Sequence, residues 1–130
     1  MIKKNKLTPA EWEIMEVIWK TGNKVSIRDV LDTAFSKGEK AYTTIQTIMN
    51  ILVKKNLLKA EKIGLVNFYT PTISREDMVN KEVKTVASRI FNGSLPAMAS
   101  FLLKSDTITQ EEIDEIKKII NEKEKELKEA

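Results

Sequence analysis

Apolar and polar positions along the chain follow two rhythms, and the places where one gives way to the other outline its parts. From Thr8-Pro9-Ala10-Glu11 the period is helical. Threonine as N-cap, proline at the first helical position and glutamate three residues on form a helix start. Trp12, Met15, Ile18 and Trp19 then recur on one face until Gly22. Ser26 with Asp29 opens a second helix that carries Val30, Leu31 and Ala34 inward and stops near Gly38. A third runs over about 42–56, with Ile45, Ile48, Met49, Leu52 and Val53 at the spacing of a core-facing stripe. There the period drops to about two. Residues 57–62 and 67–72 form a hairpin around Ile63-Gly64-Leu65-Val66, and Pro71 falls at the end of the second run, where a lost ladder bond matters least.

Helical spacing returns at Ser74-Arg75-Glu76-Asp77, with Val79, Val83, Val86 and Ile90 in one row up to Gly93. A short apolar helix over 95–103 follows. A further capping box, Thr109-Gln110-Glu111-Glu112, opens a last helix with Ile113, Ile116, Ile120 and Leu127 at heptad-like positions and a charged tail, EKEKELKEA, expected to fray. Three helices and a two-stranded wing describe a winged helix-turn-helix module, expected over residues 1–73, with a linker at 36–41 somewhat looser than the tightest turns of the motif. The remainder, 74–130, reads as a small helical dimerisation domain, so the fold class is mainly α. The apolar rows of Val79, Val83, Val86, Ile90, Leu95, Met98, Leu102, Ile113, Ile116 and Ile120 are too many for so short a segment to bury alone. A core shared by two chains accounts for them better than one within a chain.

The third helix raises the question of function. Opposite its apolar stripe stand Thr43, Gln46, Thr47, Asn50 and Lys54, with Thr44 beside them, and no acidic residue occurs between Glu39 and Glu61. Uncharged polar faces are often plain solvated surface, but three local facts favour a reading face. The helix directly precedes the hairpin, where such modules keep their recognition helix. Glutamine and asparagine can pair two-fold with adenine, and threonine offers a hydroxyl and a methyl for thymine. Threonine is also a mediocre helix former, so three of them at 43, 44 and 47 forgo local stability without other return. On this reading Thr43, Thr44, Gln46, Thr47 and Asn50 contact bases. Ser26, Arg28, Lys40, Tyr42, Lys54, Lys55, Lys59 and Lys62 contact phosphates, which set register but not sequence.

Charge agrees with that division. Residues 1–72 hold 12 Lys and Arg against 7 Asp and Glu, whereas 73–130 hold 10 against 12, so the net +3 is a basic front and a mildly acidic back. Only the front suits a polyanion. Composition removes other chemistries: with no cysteine and no histidine, thiolate and imidazole metal sites, disulfides and cysteine or histidine catalysis are excluded, and no cofactor or metal site is expected. No nucleophile–base pair or phosphate loop suggests an enzyme. The opening MIKKNKLTPAEWE lacks the apolar stretch of a secretory signal, and the apolar run at 95–103 is far short of the roughly 20 residues a spanning helix needs. A cytoplasmic protein is expected. The competing expectation is a winged-helix module that serves only protein–protein contact.

The segments LTPAEWEIMEVIW, YTTIQTIMNILVKKNLL and FYTPTISREDM, in that order, resemble the penicillinase-repressor (BlaI/MecI) family over about residues 6–125. The resemblance implies a winged-helix domain, a helical dimerisation domain and transcriptional repression at a two-fold symmetric operator with TACA/TGTA half-sites. It assigns base reading to the third helix. It also implies relief of repression by a membrane-bound sensor protease in an antibiotic response; disruption of the dimerisation domain by another route would relieve it likewise, by removing the second half-site contact. The family's β-lactam-responsive members are cleaved at an Asn–Phe bond, and the equivalent position here is Ser100–Phe101. The copper-responsive members carry a cysteine-rich site, which a chain without cysteine cannot form. A basic residue usually stands beside the wing turn, where this chain has Leu65.

Overall fold

A computed structural model describes residues 6–22 and 24–130. Positions 1–5, read above for a leader, lie outside the described residues. The order is α1 (Pro9–Thr21), α2 (Ile27–Ala34), α3 (Tyr42–Lys54), β1 (Leu58–Ile63), β2 (Val66–Pro71), α4 (Arg75–Phe91), α5 (Leu95–Leu103) and α6 (Gln110–Glu129). The mainly helical winged-helix architecture is as expected.

The three expected capping boxes close as hydrogen-bonded pairs: Thr8 with Glu11, Ser26 with Asp29, and Thr109 with Glu112. Each satisfies two backbone donors that a helix start would otherwise leave without partners. Gly22 ends α1 in the left-handed region at φ 83°, where a side chain would be strained, and donates its N–H to the Ile18 carbonyl. The two strands pair antiparallel from Leu58↔Pro71 to Ile63↔Val66, each one residue off the expected runs. Val25, just before α2, exchanges both backbone bonds with Tyr69 at 3.0 and 2.7 Å and so ties the wing to the helices.

The core of this part joins Ile14, Met15 and Ile18 of α1, Val30 of α2, Ile45, Met49 and Leu52 of α3, Leu57, Leu58 and Tyr69. Trp12 and Trp19 are only half-buried, packing edge to face at 5.6 Å on the rim of the core. An indole carries a donor that must find an acceptor, and Trp19 Nε1 finds the Ile73 carbonyl at 3.0 Å.

Two compact units divide the chain, residues 1–82 and 83–130. The division falls inside α4 rather than at 73/74, because the start of α4 is built into the first unit. Met78 is fully buried in its core, Arg75 Nε pairs with Glu16 at 2.6 Å, and Glu82 accepts from the Leu7 N–H at 3.3 Å. The second unit is a different kind of object. Ala87 is its one buried residue, α5 and α6 bury none, and Phe91 meets Phe101 at a centroid distance of 6.1 Å. The charged tail stays helical to Glu129.

Candidate nucleic-acid interface

The side chains of α3 divide as the apolar stripe requires. Ile45, Met49 and Leu52 are fully buried, Ile48 and Val53 half-buried, while Thr43, Thr44, Gln46, Thr47, Asn50 and Lys54 are exposed. At 100° per residue, Thr43, Thr47 and Lys54 stand most nearly opposite the buried row, with Asn50 and Gln46 turned from them toward the wing. α3 begins without a side-chain cap and with no acidic residue in its first turn. Its first backbone donors and the positive end of its dipole are therefore open to an anion.

Two of the polar groups on this face are already partly committed. Thr47 donates its hydroxyl to the Thr43 carbonyl at 2.9 Å, so its lone pairs and methyl are what remain for a partner. Asn50 Oδ1 accepts from the Tyr69 hydroxyl at 3.4 Å. Tyr69 is 2% exposed, and burial, with Tyr42 nearby, pushes its phenol above the ordinary value, so it stays a donor across the working pH range. The Asn50 carbonyl is held from inside, which turns its NH₂ outward as the free group. Replacing Tyr69 with phenylalanine is expected to keep the fold and to lower base discrimination opposite Asn50 by about 1 kcal/mol, the worth of one such bond. Competition among duplexes varied one base at a time measures this, and an unchanged profile would show that Asn50 needs no such hold.

Arg28 lies over the Tyr42 ring at 5.8 Å, and both line a cleft with Gln46, Leu65, Val66 and Asn67. The start of α2, the wing-facing side of α3 and the wing tip thus form one continuous surface. Lys54, Lys59 and Lys62 are exposed, with no carboxylate of the described residues in ion-pair reach. Glu61, the wing's one acidic residue, is taken by Lys24 at 2.7 Å, and that bond holds its carboxyl below the usual range.

Three of the residues expected at phosphates have partners within the chain. Lys55 turns inward: its ammonium sits 2.6 Å from Glu11 Oε1 and 3.0 Å from the Lys6 carbonyl, with the side chain 16% exposed. Lys40 pairs with Glu13 at 3.2 Å and lies over the Phe35 ring. The Ser26 hydroxyl is the buried cap of α2, accepting from the Asp29 N–H at 3.1 Å. In each case a neighbour remote in sequence or a helix end claims the polar group. Sequence reasoning also passed over Ile51, which stands 38% exposed on the outer side of α3 as an apolar contact suited to a thymine methyl. Its signal was present, since it is the one isoleucine of α3 outside the stripe.

Among the residues expected at a dimer interface, Val79 falls in the first unit beside Met78. In the second unit Val83, Ile90, Leu95, Leu102 and Ile120 are exposed, and Val86, Met98, Ile113 and Ile116 are half-buried. Ser100 and Phe101 are exposed within α5, where the Ser100 carbonyl accepts from the Lys104 N–H.

Residues 7–122 match the family model described as penicillinase repressor. The chain is 33% identical to the penicillinase repressor of Bacillus licheniformis over 94% of each chain. It is 28% identical to that of Staphylococcus aureus over 92% of this chain and 94% of that one. Among solved structures, the DNA-binding domain of the repressor BlaI superimposes with a TM-score of 0.51 at 35% identity, covering 59% of this chain and 93% of that domain.

Proposed function

The chain belongs to the penicillinase repressor family, a family of repressors rather than enzymes, and from that membership we propose how it represses. It binds double-stranded operator DNA as a homodimer, one α3 in the major groove of each half-site. Thr43, Thr44, Gln46, Thr47 and Asn50 face base edges. Lys54, Lys59, Lys62, Arg28 and Tyr42, with the open start of α3, face phosphates. The half-sites are of the TACA/TGTA type. The observation that carries the reading is the exposed, uncharged polar face of α3, followed by Lys54, Lys59 and Lys62, which have no carboxylate of the described residues in ion-pair reach.

The homodimer is supported by the second unit. A segment with one buried side chain has no core of its own, yet it exposes Phe101 (71%) together with Leu102 and Ile120. Pairing with a second copy would supply the missing burial, and two-fold symmetry would place two reading helices on half-sites one helical turn, or a multiple of it, apart. Relief of repression by a membrane-bound sensor protease at Ser100–Phe101 requires an extended backbone there. In the single chain α5 buries no side chain, so its unwinding costs little packing there, whereas pairing with a second copy would cover Phe101 and Leu102 and resist it. The place of action is the cytoplasm, where the DNA is; among the described residues no helix is long and apolar enough to cross a membrane.

Gln46→Ala tests the reading. It is expected to lower preference for operator over random duplex by about 1–3 kcal/mol, the range for a lost base contact, while leaving the salt dependence of binding unchanged. Parallel titrations of both duplexes at several salt concentrations measure it. Unaltered discrimination would remove α3 from base reading.

A further inference from the structure

The wing ends in apolar side chains where a nucleic-acid-binding hairpin would gain most from charge. Leu65 is 95% exposed, the most exposed of the large apolar side chains among the described residues, and it is flanked by Ile63 at 49% and Val66 at 46%. The two-residue turn is built to project it. Ile63 pairs with Val66 across the hairpin, and Gly64 takes the positive φ of 67° that the first central position of such a turn demands, leaving Leu65 at the tip. Just behind the tip, Lys62 lies opposite Asn67, and Lys59 follows on the same strand.

We propose that the Leu65 tip enters the minor groove of duplex DNA beside the major-groove site of α3, packing on the sugar walls and base edges as an apolar wedge. This rests on the DNA-binding reading above and extends it to a second groove. Four observations support the wedge. First, Leu65 and Val66 line the same cleft as Gln46, Tyr42 and Arg28, so a duplex on α3 continues onto the wing. Second, α3 is about 10–12 Å across and fills a major groove about 12 Å wide, which sends the wing over the phosphate wall to the next groove. Third, the tip is apolar while the strand behind it is basic, which matches an inner surface of sugars and base edges bordered by phosphates. Fourth, three side chains fall well short of the roughly 800 Å² each partner buries in a stable protein interface. An inserted leucine reads no hydrogen-bond code. It favours steps that open easily, so its contribution is to shape preference outside the bases that α3 touches.

The experiment uses the full chain and a duplex it selects from a random-sequence pool, with binding measured across a range of salt. Leu65→Ala is expected to bind about 10-fold more weakly with the same salt slope, because no counterion is released by a leucine. Leu65→Lys is expected to recover affinity at low salt with a slope steeper by about one. Hydroxyl-radical cleavage is expected to show minor-groove protection beside the half-site for the wild type and not for Leu65→Ala. Wild-type affinity in Leu65→Ala, with the wild type still preferring its selected duplex, overturns the wedge alone. Unchanged DNA binding in Leu65→Ala with a shifted oligomeric state overturns it in favour of a protein contact. A wild type with no preference for any duplex overturns the DNA-binding reading itself. Leu65 is almost wholly exposed, so neither variant disturbs the fold.

Discussion

Replacing Lys55 with alanine is expected to cost the first unit about 3 kcal/mol of stability, the low end for breaking a buried ion pair. Glu11 is 5% exposed, and its Oε1 accepts from both the Lys55 ammonium at 2.6 Å and the Thr8 N–H at 3.0 Å. Removing the ammonium leaves a carboxylate in a nearly buried residue with one backbone donor for company, the Thr8 N–H. The loss is a sizeable share of the 5–15 kcal/mol typical of a folded domain. Lys54, one residue earlier and exposed, provides the contrast. Its replacement by alanine is expected to change stability by less than about 0.5 kcal/mol while weakening all duplexes alike. Urea unfolding followed by the fluorescence of Trp12 and Trp19 separates the two. A Lys55→Ala midpoint equal to wild type would show that the pair adds nothing. Changing Glu11 to glutamine together with Lys55 to methionine is expected to restore much of the loss, because no charge is then left buried.

This pair also marks where reading from sequence stops. Helix starts were legible because capping is local: Thr8 and Glu11, Ser26 and Asp29, and Thr109 and Glu112 each act across three residues. The stripe on α3 was legible because burial repeats with the helical period, and Ile45, Met49 and Leu52 are its innermost members. Lys55 and Glu11 are 44 residues apart, and no periodicity says that the end of α3 meets the start of α1. Lys40 with Glu13 and Tyr69 with Asn50 are of the same kind. Counting lysines near α3 therefore does not separate those that stand free from those held by carboxylates of the protein itself.

The division into two units falls inside α4, past the expected 73/74. Val79, Val83, Val86 and Ile90 form one uninterrupted row, yet the buried residue that anchors the helix to the first unit is Met78, outside that row. A helix that serves two units carries two apolar faces, and a single stripe describes only one of them.

Introducing aspartate at both Leu102 and Ile120 is expected to turn the proposed dimer into monomers at micromolar concentration, with the largest functional effect of any change considered. Both side chains are exposed in the single chain, at 61% and 52%, so a carboxylate there costs the isolated fold little. In a shared apolar interface, two unpaired charges per chain, four in the pair, cost several kcal/mol each in desolvation. Binding to a two-half-site operator is expected to fall by about 10²–10⁴-fold, the advantage of a tethered second contact. Binding to a duplex with one half-site is expected to stay the same, because α3 is untouched. Sedimentation equilibrium and titrations of the two duplexes check both halves of the expectation. A monomeric variant that keeps full operator affinity would show that one module suffices. A variant that stays dimeric would move the interface away from α5 and α6. Equal losses on both duplexes would point to damage in the first unit. The outcome expected here, a loss on the two-half-site duplex alone, would mean that repression is controlled by the unit with the least burial, far in sequence from the helix proposed to read the bases.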